Sequence, residues 1–466
     1  MTTHLCPAET LARLWCDAGQ PAQALARIAL GGTAPILPSS FAVDCAAQVS
    51  IGAAALAAIE IGRWRNGSDL RVTVDALDAA LECTGFFSVD GRVPDQWAPL
   101  SGLYRCRDGF VRIHANFAHH RDGALRLLGL PPGPGTSRAD AQAAAATFHA
   151  VDLEDAAARA GLVIAAVRTH EQWAAHPQAQ ALSTLPLWTC ERIGDAPPRT
   201  PPALPDRAPP LTGLRVLDLT RILAGPTCGR ALAAYGADVM LVNSPNLPNI
   251  ESIADTSRGK WSCHVDLLEP EGQAALRDLL QGADVFVQGY RPGGMAGLGV
   301  GPTDAARMRP GIVYVSLSAY GPVGPWSDRR GFDSLVQTAT GFNDDEGRAA
   351  GTAGPRALPV QILDYASGFL MAFALQATLL RQWREGGSWH VRVSLAQTGN
   401  WLRSLGRVDN TLSRPMPSVD DHLEISPSGW GELAAVRHAA RFEGLVRQVA
   451  RPSARPGTHE ARWPSA

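Results

Sequence analysis

The chain has 466 residues, 45% hydrophobic and 18% charged, which is too long for one ordinary core and too apolar for general disorder, so two or more domains are expected. Lys and Arg total 42 against 44 for Asp and Glu, a net charge of -2, and this balance excludes a polyanion binder that works through bulk positive charge. Eight cysteines lie scattered without a CxxC pair or Cys/His ligand spacing, so neither a zinc site nor a disulfide framework is expected.

The opening residues carry no basic stretch followed by an apolar one, so no secretory signal is expected and the cytoplasm is the default compartment. Along the chain, the first long apolar run spans 45–59 and a second spans 365–380. Both fall short of the roughly 20 residues a bilayer crossing needs and are rich in Ala and Gly, so buried helices are predicted. His119-His120 are neighbours that would point to opposite sides of a strand, and no histidine spacing suggests a metal. The stretch 197–210 is Pro-rich and reads as a linker.

The clearest order lies between 211 and 337. A strand is predicted at 214–220 (LRVLDLT), then the turn Ala224-Gly225-Pro226 and a helix to Tyr235, then a strand at 239–243. A helix opens at Pro270, a strand follows at 284–288, and a strand at 312–318 closes the series. Such alternation predicts a parallel sheet covered by helices on both faces. Ligands bind such sheets beyond the carboxyl ends of the strands, which gathers 220–226, 243–244, 288–291 and 318–321 around one crevice. The segment 358–398 repeats 37–79: Asp364 matches Asp44 and Trp383 matches Trp64. Two copies this far apart suggest duplication of a whole domain.

Three features bear on chemistry. Asp364 heads a long apolar helix, where amides and dipole favour the ionised carboxylate; it is either a plain N-cap, the commoner use of Asp there, or a nucleophile toward an activated acyl group. Asp44 invites the cap reading. The amides at 224–226 suit a phosphate or simply make a tight turn. The turn Tyr290-Arg291-Pro292-Gly293 could stack an adenine and hold a phosphate, or be a turn with a solvated arginine.

In this order the segments 211–242, 259–276, 283–299, 309–341 and 358–368 resemble the class III CoA-transferases, the formyl-CoA and carnitine CoA-transferase group also called CaiB/BaiF. The resemblance implies an α/β fold, a Rossmann-like parallel sheet covered by helices with a smaller α+β lid domain. It makes Asp364 the catalytic carboxylate, passing through an acyl-aspartyl anhydride and an aspartyl-CoA thioester to a second anhydride, with Ala366, Ser367 and Gly368 giving the acyl group room. The CoA contacts it implies are Ile222, Leu223, Ala224, Val265, Gly289, Tyr290, Arg291, Leu298 and Arg330. CoA enters as a thioester substrate, with no tightly bound cofactor and no metal, and the partners are an acyl-CoA and a small carboxylic acid; neither nucleic acid nor membrane is expected. Family transferases are homodimers, and the same is expected here.

The related α-methylacyl-CoA racemases carry a GHD sequence where this chain has Gly331-Phe332-Asp333, and Phe332 cannot transfer a proton. Other departures are Asn243, Ser244, Leu268 and Gly289, at positions where many members carry acidic, basic or amide side chains. Lid-like sequence, at 99–117 and 156–182, precedes the Rossmann-like part. The layout expected is therefore a partial first copy at 1–90, a lid-like domain at 91–196, the linker at 197–210, the Rossmann-like domain with its catalytic helix at 211–407, and a closing segment and tail at 408–466. A binding protein without turnover, or an acyl-CoA isomerase, are the alternatives.

Overall fold

The computed structural model describes residues 6–291, 293–409, 411–445 and 451–464. Pro292 of the predicted turn and Ala450 at the head of the tail lie outside the described residues.

The central feature is a seven-stranded sheet. Its strands in chain order are β1 (Trp188–Gly194), β2 (Arg215–Leu219), β3 (Asp238–Asn243), β4 (Trp261–His264), β5 (Val285–Gln288), β6 (Val313–Ser318) and β7 (Ser388–Ser394). Their spatial order is β4-β3-β2-β5-β6-β7-β1, all parallel except β1, which runs antiparallel at the edge. Counting the parallel strands alone, the order is 3-2-1-4-5-6, that of a doubly wound sheet, with the chain reversing direction between β2 and β5. The apolar runs read as strands are strands because both faces are covered: Val216, Leu217, Val239, Met240, Val285, Phe286, Val313 and Val315 are all buried. The series does not close at 312–318. HVRVS joins as β7 across a long helix, and WTCERIG caps the edge as β1, a register that local periodicity cannot reveal.

The two long apolar runs are core helices, Val43–Asn66 and Ile362–Glu385. Each has length and hydropathy enough to cross a membrane, yet the apolar windows are 94% and 100% buried inside the protein. They pack on one another, with Gln376 Nε2 donating to the carbonyl of Ala54 at 3.0 Å. Each is followed by a strand and a short helix: Val72–Asp75 with Ala76–Glu82, and β7 with Leu395–Ser404. The environments differ, for Trp383 is buried while Trp64 is half exposed. Asp44 is not an N-cap. It is the second residue of its helix, and its carboxylate accepts the N–H groups of Ile36 and Leu37 at 2.8 and 3.1 Å, fixing the incoming loop.

Segments far apart in sequence share the remaining sheets. Val72–Asp75 pairs with Ile28–Gly31 and with Ala440–Phe442, while Phe87–Val89 joins the hairpin Leu423–Ser428 and Gly431–Val436. A buried charge cluster fastens the same pieces: Arg230 reaches Glu82 at 3.1 Å and Asp255 at 2.5 Å, and Glu82 also meets His438 at 2.9 Å. A fourth sheet, Gly102–Arg105, Phe110–Ile113 and Ile164–Ala166, carries three helices and its own apolar core. That unit leans on the helix Asp333–Ala339 and so approaches the carboxyl edge of the main sheet.

Candidate active site

A cavity of about 590 Å³ opens at the carboxyl ends of β2, β5 and β6, where a doubly wound sheet switches direction and its loops part. Leu219 and 221–224 line one side, 289–291 another, and 317–319 the floor. The sheet-facing wall also includes 329–332, Leu395 and Asp364. Phe117, His119 and His120 enter from the smaller unit, and Leu247 and Pro248 complete the rim.

Local sequence explains the β2 side. Below the turn, the chain's single lysine, Lys260, donates to Asp218 Oδ2 and to the carbonyl of Pro226, both at 2.9 Å, with no exposure on either side chain of the pair. Thr220 Oγ1 donates to the other oxygen of Asp218 at 2.5 Å. A Cβ on Gly225 would stand 2.3 Å from Thr220 Cβ, so only glycine lets helix Ala224–Ala234 start this tightly. Ile222 sits at φ +76°, a conformation that β-branched residues avoid. The turn is held by the Asp218–Lys260 pair in a shape its own residues resist, and the helix start at Ala224 faces the cavity.

The cavity is electropositive. Arg221, Arg291, Arg329 and Arg330 line it, and Asp364 is the single carboxylate in the described lining. Arg221 donates through Nη2 to the carbonyl of Pro248 and lies 5.7 Å from the Phe117 ring. Arg329 donates to the carbonyl of Glu154 and Arg330 to that of Gly161, both at 3.3 Å, so both tie the smaller unit to the sheet.

Asp364 is the third residue of its helix rather than its cap. The first-turn acceptor is Asp333, whose Oδ2 takes the Asp364 N–H at 2.8 Å while Oδ1 accepts from Gln337 Nε2 at 2.5 Å. The expectation of a dipole-held, ionised Asp364 is thereby corrected. Burial, and then the neighbouring Asp333 charge, push its carboxyl well above the ordinary range. Burial raises Asp333 to about 7 against three hydrogen bonds that favour its ionised form. Ala366, Ser367 and Gly368 do not line the cavity. Ser367 bonds Thr398 at 2.7 Å, and a Cβ on Gly368 would meet the Ala224 carbonyl at 2.5 Å, so these small residues serve helix-to-helix contact.

Of the CoA contacts expected from sequence, Ile222, Leu223, Ala224, Gly289, Tyr290, Arg291 and Arg330 come together on the cavity wall with Asp364. Val265 and Leu298 do not. Both face the core behind β4 and β5, Val265 buried and Leu298 packed against the same cluster. Asn243 and Ser244 also stand apart: β3 lies one strand beyond the switch point, and Asn243 turns inward to accept from Asn249 Nδ2 at 3.1 Å. Leu268 is an exposed residue.

Sequence reasoning passed over three histidines. His119 and His120 begin the helix Ala118–Leu127 rather than alternating on a strand, and both reach the cavity. Phe332 is stacked by His114, with centroids 3.9 Å apart, and approached by His120 at 6.0 Å. Burial, then His119, Arg330 and Arg221, lower His120 to about 4; burial, then His120 and Arg112, lower His114 to about 3. Both rings are neutral at pH 7. Adjacent histidines were a signal, but only contacts between distant segments give them a place.

The geometry is that of an α/β protein with an anion-attracting cavity built around one buried carboxyl group. Residues 211–430 match the model of CoA-transferase family III. The chain is 33% identical over 272 residues to a succinate–glutarate CoA-transferase of Agrobacterium fabrum, covering 52% of this chain and 67% of that one. It is 37% identical over 214 residues to an acetyl-coenzyme A transferase of Hypoxylon pulicicidum, covering 45% and 36%. A crystal structure from Mycobacterium tuberculosis matches at 35% identity and a TM-score of 0.40, covering 42% of this chain and 56% of that one. This chain belongs to CoA-transferase family III. It spans between about a third and two thirds of the length of these relatives.

Proposed function

We propose that this protein moves CoA from an acyl-CoA donor to a carboxylic acid, with Asp364 as the nucleophile. The carrying observation is that Asp364 presents the one carboxyl of the described cavity lining, among four arginines and a helix start at Ala224. Those cations suit the phosphates of CoA, and the turn at 289–291 supplies Tyr290 for the base. In the reaction the Asp364 carboxylate attacks the thioester carbonyl, the C–S bond breaks, and CoA leaves as thiolate. The thiolate then attacks the Asp364 carbonyl of the resulting anhydride, releasing the acyl group as carboxylate and leaving an aspartyl-CoA thioester. An incoming carboxylate reverses the two steps and departs as the new acyl-CoA. The proposal extends to a cytoplasmic homodimer, for which light scattering of the purified chain is the check.

The test is Asp364→Ala with CoA binding measured by calorimetry and exchange followed by mass. Exchange is expected to vanish while CoA affinity holds within about threefold; exchange surviving in the variant overturns the proposal. Lack of exchange in the wild type with CoA binding intact would favour a binding protein without turnover. A second reading, proton exchange at the acyl α-carbon, draws on His120, a neutral imidazole on the same cavity as Asp364. Deuterium wash-in without CoA transfer would favour it.

A further inference from the structure

Asp333 is a buried carboxylate that the transfer chemistry leaves unused. It sits outside the cavity lining, with 1% of its surface exposed, at the start of helix Asp333–Ala339. An ordinary buried Asp is neutralised by a cation, but no arginine or lysine forms an ion pair with Asp333 within the described residues. Its partners are the amide N–H of Asp364 at 2.8 Å, the Leu363 amide and Gln337 Nε2 at 2.5 Å. Gln337 is oriented in turn: its Oε1 accepts the Leu358 N–H at 3.0 Å and an N–H of Asn343 at 3.3 Å, which leaves its NH2 for Asp333. Asp333 thus holds the first turn of the helix that carries Asp364 and sets its own charge beside that residue.

We infer that Asp333 is the positioning residue of the nucleophile, anchoring the Asp364 backbone and governing by its charge whether Asp364 is protonated. The inference rests on Asp364 being the nucleophile. With Asp333 ionised and held by three donors, the proton stays on Asp364, because burial and that like charge both raise its pKa. Loss of that proton to solvent in the cavity that Asp364 lines makes Asp364 the carboxylate that attacks, and the Asp333 charge sets how readily the proton leaves. The scheme keeps a buried nucleophile neutral until a thioester arrives, and it explains why the residue after Phe332 is an acid though it touches no cavity.

Other groups face the pair. Arg112 on Phe110–Ile113 acts on Asp333, and its neighbour His114 stacks on Phe332. From the opposite side Tyr365 adjoins Arg230, Asp255 and Cys83 as well as Asp364. None of these is an acceptor on the Asp364 turn, so changing Asp333 alone isolates the effect.

The experiment reads the protonation of Asp364 without requiring turnover. Carbodiimide couples an amine to protonated carboxyls, and peptide mass spectrometry of the intact protein across pH gives the midpoint at Asp364, normalised to the exposed Asp195. In Asp333→Asn, which keeps an acceptor for the Asp364 amide, the midpoint is expected to fall by about one pH unit or more, and the acid limb of kcat to move with it. Gln337→Leu, which withdraws the donor that favours ionised Asp333, should move the midpoint the same way by less, and serves if Asp333→Asn does not fold. Coincident midpoints in wild type and variant overturn the inference. If the midpoint moves but no protein form shows exchange, the transfer reading falls and with it the nucleophile that Asp333 would position, while the control of Asp364 protonation by the Asp333 charge stands.

Discussion

Replacing Lys260 by Met tests whether the cavity turn is held from below. The Lys260 ammonium and Asp218 carboxylate are 2.9 Å apart and fully buried. A Cβ on Gly229 would lie 2.3 Å from Asp218 Oδ2 and 2.7 Å from Lys260 Nζ, so the helix closes directly over the pair and no water can replace the ammonium. The variant strands Asp218 with only the Thr220 hydroxyl, and breaking such a pair costs about 3–5 kcal/mol. At about 1.4 kcal/mol per tenfold, this is a change of roughly two to three and a half orders of magnitude in the folding equilibrium. Urea unfolding followed by tryptophan fluorescence reads the loss, and hydrogen exchange over 215–230 should quicken. The double variant Lys260→Met with Asp218→Leu should recover most of the stability, since a buried ion pair exchanged for packed apolar groups is close to neutral. A single-variant loss below about 1 kcal/mol would refute the reasoning, as would a double variant worse than the single.

Ile222→Gly relieves a positive φ and should leave stability equal or raise it by up to about 1 kcal/mol, while loosening the cavity wall and weakening CoA binding; denaturation and calorimetry on one preparation separate the two. Asp364→Asn should stabilise the protein above the ordinary carboxylate range. A raised folded-state pKa means the native state holds a proton the unfolded chain has lost, so wild-type stability declines as pH climbs above about 4 and the amide escapes that decline; the gap in melting temperature should widen from pH 5 to pH 8. Gly368→Ala places a methyl 2.5 Å from the Ala224 carbonyl and should cost about 1–3 kcal/mol by overpacking, with reduced exchange from a displaced Asp364 helix.

Much of the frame was legible because it is local. Apolar runs at 214–220, 239–243, 284–288 and 312–318 are continuous enough to read as doubly covered strands, and the ends of β2, β5 and β6 supply most of the cavity wall. Asp364 stood out as a charge ahead of a long apolar helix. What stayed hidden depends on contacts between distant segments. Asp333 reaches Asp364 across 31 positions, and His120 meets Phe332 only because a separate unit docks there. The small residues after Asp364 were expected to make room for substrate, yet glycine and serine equally suit close helix packing, and packing claims them here. Dipole reasoning for Asp364 failed because burial outweighs a helix terminus once a second carboxylate takes the amide.

The most direct measurement is trapping. The protein is incubated with an acyl-CoA in the presence of hydroxylamine and its peptides are weighed. If Asp364 passes through an anhydride or thioester, its carboxyl is converted to a hydroxamate, and the peptide holding it gains that mass only when acyl-CoA is present. Transfer of CoA with Asp364 left unmodified would contradict the account.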